Sequence, residues 1–282
     1  MIGLLQKGET FLSSITLEEL QLNPAILKQA LWIDLLFPTT DEENFIEAQL
    51  GLNIPTKEKM HEIEQSSRLF TVGDQLYMAC WLLSYESPIP ENTSVTFVLS
   101  GQHFVSVRYS DHHAFRIFST RSNSPQERKF CTPDDVLTEL FDAMVNHIAS
   151  TLRNLEQSLN SLSIEIFTEP KAEDAAKRES NLRSVVQRIG KRNSMVSSLR
   201  ESAVSIQSIA PFITSSAPGR ISAENMSKLA LLERDVQSLR DYDAQLSSEL
   251  GFLLDSTVGL ISIQQNQSMK ILSIAALVLA FI

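Results

Sequence analysis

The chemically informative side chains of this 282-residue chain are acidic and polar, not nucleophilic. No Gly-rich phosphate loop occurs, and no Ser/His/Asp set stands at a recognisable spacing. His61, His103, His112, His113 and His147 are scattered. His112 and His113 invite reading as a ligand pair, but side chains adjacent in sequence usually point apart, so ordinary core or surface histidines are expected. The chain is therefore expected not to be an enzyme. Cation handling has more support. Asp and Glu number 34 against 24 Lys and Arg, a net charge of −10. A hard ion such as Mg²⁺ keeps most of its water and takes one or two carboxylates plus solvent, so no tight motif need mark its site. Near the chain end Asp255, Gly259, Ser262, Asn266, Met269, Ser273 and Ala276 recur at helical spacing. This stripe is either a solvated back face or the wall of a wet axis surrounded by several copies of one helix.

The element that must carry the stripe runs from Ser222 to the end of the chain. No Pro follows Pro218, and Ser222 is a candidate N-cap with Asn225 three residues on. As one helix, Ser222 to Met269 alone reaches roughly 70 Å. Leu229, Leu232, Val236, Leu239, Leu246, Leu250, Leu253 and Leu260 recur at heptad spacing, with Asp243 and Thr257 as interruptions. The polar stripe is two residues out of phase, about 200° around the helix, and so opposes this seam. Residues 271–282, ILSIAALVLAFI, are apolar but for Ser273. Twelve residues span about 18 Å, short of the roughly 30 Å hydrocarbon core. The run stops with no polar flank or cap after it, and it is expected to be the first half of a transmembrane helix with Lys270 at its cytoplasmic boundary.

Upstream, composition is that of a folded protein, 43% hydrophobic and 21% charged. The acidic balance disfavours a nucleic-acid partner, which would need a basic stripe. Cys80 and Cys131 fall in no metal or redox pattern and read as reduced thiols or small apolar residues. The first eleven residues lack a signal peptide's basic and apolar regions, so the large polar part is expected in the cytoplasm.

Residues 1–19 suggest a strand and a turn. Leu31 to Phe37 reads as a strand ended by Pro38, then a helix from Asp41 to Leu50 with Thr39 as N-cap and Gly51 as its close. Pro55 and Thr56 open a short helix through Glu64. Two hairpins follow, Arg68–Val72 with Leu76–Tyr85 and Val95–Leu99 with Phe104–Tyr109. Residues 114–120 fit a strand or a helix start. From Thr132-Pro133 a helix runs to about Phe167. A second, from about Ala172 to Ile209, is broken by Pro211 and carries Lys177, Arg178, Arg183, Arg188, Lys191, Arg192 and Arg200, a set that either contacts anionic lipid or balances acidic neighbours. Three long helices with short connections predict antiparallel packing. The expected fold is an α/β domain with a largely antiparallel sheet (1–131), a long antiparallel helical hairpin (132–218), a stalk helix (219–270) and the start of a membrane helix (271–282).

The segment GLISIQQNQSMKILSIAALVLAFI resembles the end of the stalk and the first half of the pore helix in the CorA magnesium transporters, where the helix continues to a Gly-Met-Asn motif. WIDLLFPTTDEE followed by LGLNIPTKEKMHEIEQSSRLF resembles that family's N-terminal domain, in which a tryptophan strand leads to a helix, an acidic stretch with an Ile-Glu pair, and then the hairpins. The resemblance implies a homopentameric, CorA-like funnel at the inner membrane that conducts Mg²⁺, and also Co²⁺ or Ni²⁺, down the membrane potential. It implies that Asn266, Met269 and Leu272 face the pore with Ser262 on the same stripe, and that Asp255 lies higher in the funnel. It further implies that Glu62 and Asp235 hold a regulatory Mg²⁺ across a subunit boundary, with Asp241 and Asp243 as neighbouring alternatives. Expected partners are other copies of the chain, divalent cations and membrane lipid. The nearest rival is a zinc transporter of the same architecture. A rival of another class is a soluble coiled-coil scaffold, which would make the apolar ending a buried segment.

Overall fold

Strand β3 (Ala30–Leu36) holds the tryptophan of the sequence motif and is buried along nearly its whole length, as a strand covered on both faces must be. In the computed structural model, which describes residues 1–10, 12–56, 60, 68–87, 90–121, 129–168 and 178–280, β3 lies inside a seven-stranded sheet of order β2-β1-β3-β7-β6-β5-β4. The other strands are β1 (Ile2–Gln6), β2 (Ser13–Ile15), β4 (Leu69–Val72), β5 (Gln75–Ser84), β6 (Glu91–Leu99) and β7 (Phe104–Arg108). Among the described residues only β3 and β7 pair in parallel, so the sheet is largely antiparallel. Both expected hairpins form, with Gly73 at φ +58° in the first turn, and β6 begins at Glu91, four residues before Val95.

Register decides what each face of the sheet carries. Trp32 pairs with Phe104, Asp34 with Ser106 and Leu36 with Arg108, so these alternate residues share one face. Ile33, Leu35, Val105 and Val107 face the other way. They form one cluster with Leu20 of α1 (Leu17–Leu22), Leu27 of α2 (Ala25–Gln29) and Ile46 of α3 (Thr40–Leu50). The Trp32 face is covered by α4 (His113–Arg121), whose Phe115 and Phe118 ring centres lie 6.1 and 5.1 Å from Trp32, and by Phe141 of α5 (Pro133–Phe167), 5.4 Å from Phe97. Residues 114–120 are therefore helical: aromatics three apart reach one sheet face only at the helical period. Local signals behave as expected at α3. Thr39 and Glu42 form a reciprocal capping box, and Gly51 closes the helix at φ +63°. The short helix expected after Pro55 falls mostly outside the described residues.

The long helices are α5, α6 (Arg178–Gln207), α7 (Ile209–Ser216) and α8 (Ala223–Ala280). Pro211 does not end a helix. It sits in the first turn of α7, where the amide it lacks would have no intrahelical partner, and the chain breaks at Ser208 instead. Contacts divide the chain into two units, Met1–Ser150 with Ser198–Arg240, and Thr151–Ser197 with Asp241–Ile282. In the second unit Arg188 pairs with Glu165, and Arg192 Nε donates to Ser158 Oγ at 2.6 Å, so α5 and α6 are antiparallel. Helices α5 and α8 also lie side by side. In the first unit Asp134 meets Asn225 and Glu139 meets Lys228; in the second, Glu156 meets Tyr242 and Phe167 stacks near Phe252. Both series rise together, so these helices run in parallel, as the first and third members of three successive long helices must when each connection reverses the chain.

Candidate functional site

Helix α8 sorts its residues by face. Leu229, Leu232, Val236, Leu246, Leu250 and Leu253 are buried, while Leu239 and Leu260 are half-buried. The two interruptions prove to belong to the seam: Asp243 is 2% exposed and Thr257 fully buried. Thr257 Oγ1 donates back to the Leu253 carbonyl at 2.6 Å, which lets a hydroxyl sit in an apolar seam. On the opposite face Asp255, Gly259, Ser262, Asn266, Met269, Ser273 and Ala276 are all exposed. At about 100° per residue, the stripe from Asp255 to Met269 stays within roughly 40° of Asp255. Exposed apolar residues flank it, Phe252 and Ile263 on one side and Leu254 and Val258 on the other. Leu272, 67% exposed, lies roughly 60° past Met269 around the helix.

The foot of the stalk is tied by interlocked caps. Ser222 Oγ accepts from the Asn225 amide at 3.2 Å, the expected N-cap. The Asn225 side chain does not reciprocate. Its Nδ2 donates at 2.9 Å both to Asp134 Oδ2 and to Asp135 Oδ1, while Asp134 Oδ2 also accepts from the Ser222 amide at 3.0 Å. Asp135 Oδ2 accepts from the Cys131 and Thr132 amides at 3.0 and 3.1 Å. Burial pushes both carboxyls up, but the hydrogen bonds from Thr132, Asn225 and the cap amides prevail and hold both below the usual range. Each carboxylate thereby meets the positive end of a helix.

Of the predicted metal ligands, Glu62 lies outside the described residues. Asp235 is exposed and lines a groove of about 330 Å³ with Thr138, Glu139, Asp142, Lys228 and Leu232. Glu139 and Asp142 come from α5 and were not singled out in the sequence, although their three-residue spacing beside the core stripe Leu140 and Met144 places them on one flank of that helix. Lys228 Nζ lies 3.1 Å from Glu139 and 3.6 Å from Glu224, so the groove holds its own cation. Asp241 is exposed and Asp243 buried, which separates the two alternatives. Among the described residues no group of three or more His, Cys, Asp or Glu is arranged to hold a metal by itself.

His112 and His113 point apart. His112 is buried, with Nε2 3.2 Å from Thr93 Oγ1 and Nδ1 3.3 Å from the Leu83 carbonyl, while His113 is exposed and packs on His147. Beyond Lys270, α8 continues to Ala280 with Ile271, Leu272, Ile274, Leu277, Val278 and Leu279 all more than half exposed. By length and composition α8 is apolar enough to cross a membrane.

Over residues 28–280 the chain matches the family model described as "CorA-like Mg2+ transporter protein". It is 26% identical over 257 residues to the magnesium transport protein CorA of Pasteurella multocida (strain Pm70), covering 90% of this chain and 78% of that protein. The complete structure of the CorA magnesium transporter from Methanocaldococcus jannaschii superposes with a TM-score of 0.70 at 16% identity, covering 98% of this chain and 82% of that one. The ZntB cytoplasmic domain from Vibrio parahaemolyticus shares the fold at a TM-score of 0.52 and 12% identity over 84% of this chain and 88% of its own. With the match running from the tryptophan strand to within two residues of the chain end, the chain belongs to the family of CorA-like Mg²⁺ transporter proteins.

Proposed function

We propose that this chain is the cytoplasmic funnel and the beginning of the pore of a homopentameric Mg²⁺ transporter at the inner membrane, closed by cytoplasmic Mg²⁺ and able to pass Co²⁺ and Ni²⁺. The transported ion follows from the family description and from the name of the Pasteurella relative. The observation that carries the reading is the exposed polar stripe of α8 opposite its buried seam, leading into an exposed apolar end. Different apolar flanks on the two sides of the stripe suit a head-to-tail contact, which closes into a ring. In such a ring Asp255, Ser262, Asn266 and Met269 face the axis and Leu272 forms an apolar constriction that gates by dewetting. No bond is made or broken; the ion moves down the membrane potential. The soluble-scaffold reading needs protein to bury residues 271–280, all of which are exposed on the chain itself. The zinc-transporter reading shares this fold and differs in the ion carried.

Cysteine placed at Asn266 or Met269 in the membrane-embedded protein is expected to cross-link between subunits, and cysteine at Leu260 is not. Equal cross-linking at all three positions would overturn the assignment of the stripe to an axis.

Regulation by Mg²⁺ rests on the groove beside Asp235. Its oxygen donors are of the kind Mg²⁺ takes, and carboxylates of Glu62 on a neighbouring copy would complete a loose, water-rich site. A bound ion stabilises the assembled form by about 2.7 kcal/mol when free ion is about a hundredfold above its dissociation constant. Thermal melts under Mg²⁺ titration are expected to rise for the native sequence and to lose most of that rise in Glu62→Ala with Asp235→Ala. An equal rise in the double variant would remove these residues from the site.

A further inference from the structure

We propose that His113 and His147 form a binding site for a borderline divalent transition ion of the Ni²⁺ or Zn²⁺ class, separate from the carboxylate groove that suits Mg²⁺. The two imidazoles come from different helices, His113 from the first turn of α4 and His147 from α5, both within the first unit. Their ring centres lie 4.9 Å apart. With nitrogen–metal bonds of about 2.0–2.1 Å, two imidazoles on adjacent positions of a tetrahedral or octahedral ion place their centres roughly 4.5–5.2 Å apart. The backbone therefore already holds the rings at ligand spacing. They meet edge to face, at 60°, so turning both nitrogens to a common point needs ring rotation about χ2, a soft torsion for histidine.

Imidazole nitrogen selects Ni²⁺, Zn²⁺ or Co²⁺ over Mg²⁺, which prefers oxygen. Arg116 lies beside the pair: its Nη2 is 3.3 Å from His113 Nδ1, and its Nη1 is 3.5 Å from Asp111 Oδ2. The Arg116 side chain is 60% exposed, so it can swing into water as a dication arrives.

Calorimetric titration with Ni²⁺, in saturating Mg²⁺ and with exposed Cys131 replaced by Ser, tests the site on the full chain. The expected result is one Ni²⁺ per chain, with binding weakened at least about 10–100-fold in His113→Ala, since loss of a ligand exceeds the effect of losing an outer-shell partner. His113 is exposed, so that variant keeps the fold. His147→Gln is expected to lose binding to the same degree with an unchanged circular dichroism spectrum. Arg116→Ala is expected to bind at least as tightly as the parent. Absence of Ni²⁺ binding under Mg²⁺, unchanged binding in His113→Ala, or weaker binding in Arg116→Ala would each overturn the assignment.

Discussion

Asp34→Ala is expected to destabilise the first unit by about 3–5 kcal/mol, the range for removing one partner of a buried ion pair. Asp34 is 3% exposed and Arg108 5%. Arg108 Nη2 donates to Asp34 Oδ2 at 2.7 Å and its Nε to both oxygens at 3.1 and 3.2 Å. Ser106 Oγ donates to Asp34 Oδ1 at 2.6 Å while accepting from Trp32 Nε1 at 2.9 Å. Burial disfavours the Arg108 charge, and Asp34 and then Asp111 reverse that effect, holding the guanidinium above its usual value. Without Asp34 the charge stays between two sheet strands and the Phe115 ring, 4.2 Å away, with only the Ser110 carbonyl and the half-exposed Asp111 in reach. The comparison that isolates burial is Asp111→Ala, whose partner is the same guanidinium but whose side chain is 37% exposed; it is expected to lose only about 0–1 kcal/mol. Replacing both members, Asp34→Leu with Arg108→Met, is expected to recover much of the loss, because no orphaned charge remains. Equilibrium denaturation of the four proteins measures this, and equal effects of Asp34→Ala and Asp111→Ala would refute it.

Mild acid is expected to destabilise the protein through His112. Burial lowers this imidazole to about 4 against an ordinary value of 6.5, with Arg108 lowering it further and the Leu83 carbonyl, Asp111 and Glu86 acting the other way. Between those values the unfolded chain takes up a proton that the folded chain refuses, so stability falls as pH falls from 6.5 toward 4. At about 1.4 kcal/mol per pH unit the loss approaches roughly 3 kcal/mol and levels off once both states are protonated. His147, also at about 4, adds a smaller part, since it is less buried. Below this window the interlocked caps fail next: Asp134 and Asp135 titrate below their ordinary 3.8, so the stability they confer is present above that value and lost beneath it. His112→Gln, which cannot take the proton, is expected to flatten most of the slope. Denaturation midpoints read across this pH range decide it, and a native slope retained in His112→Gln would assign the acid sensitivity elsewhere.

Much of the architecture was legible because its rules act over a few residues. The Thr39 and Glu42 box, Gly51, Pro133, the Gly219 turn at φ +79° and the Ser222 cap are each decided within one turn of chain. The seam and the opposing stripe of α8 follow from the helical period alone. Asp255, Ser262, Asn266 and Met269 were found on the exposed side for that reason. Two local readings still failed. Asp243 and Thr257 look like breaks in a seam by residue type, yet the heptad carries them inward, and period outranked polarity. Pro211 looks like a helix end, but a first-turn position needs no amide.

The contacts that sequence could not foresee join residues far apart in the chain. Asp34 and Arg108 are 74 residues apart and Glu139 and Lys228 89 apart, and no periodicity links them. Their meeting depends on the parallel pairing of β3 with β7 and on α8 returning beside α5 in the same direction. The same holds for Glu139 and Asp142 beside Asp235 and for His113 against His147, which come from separate helices. Sequence alone therefore determined the elements, the faces of the stalk and the acidic character. Packing decided which carboxylates, imidazoles and cations share a site, because side-chain encounters across elements are set by sheet register and helix direction, and local sequence encodes neither.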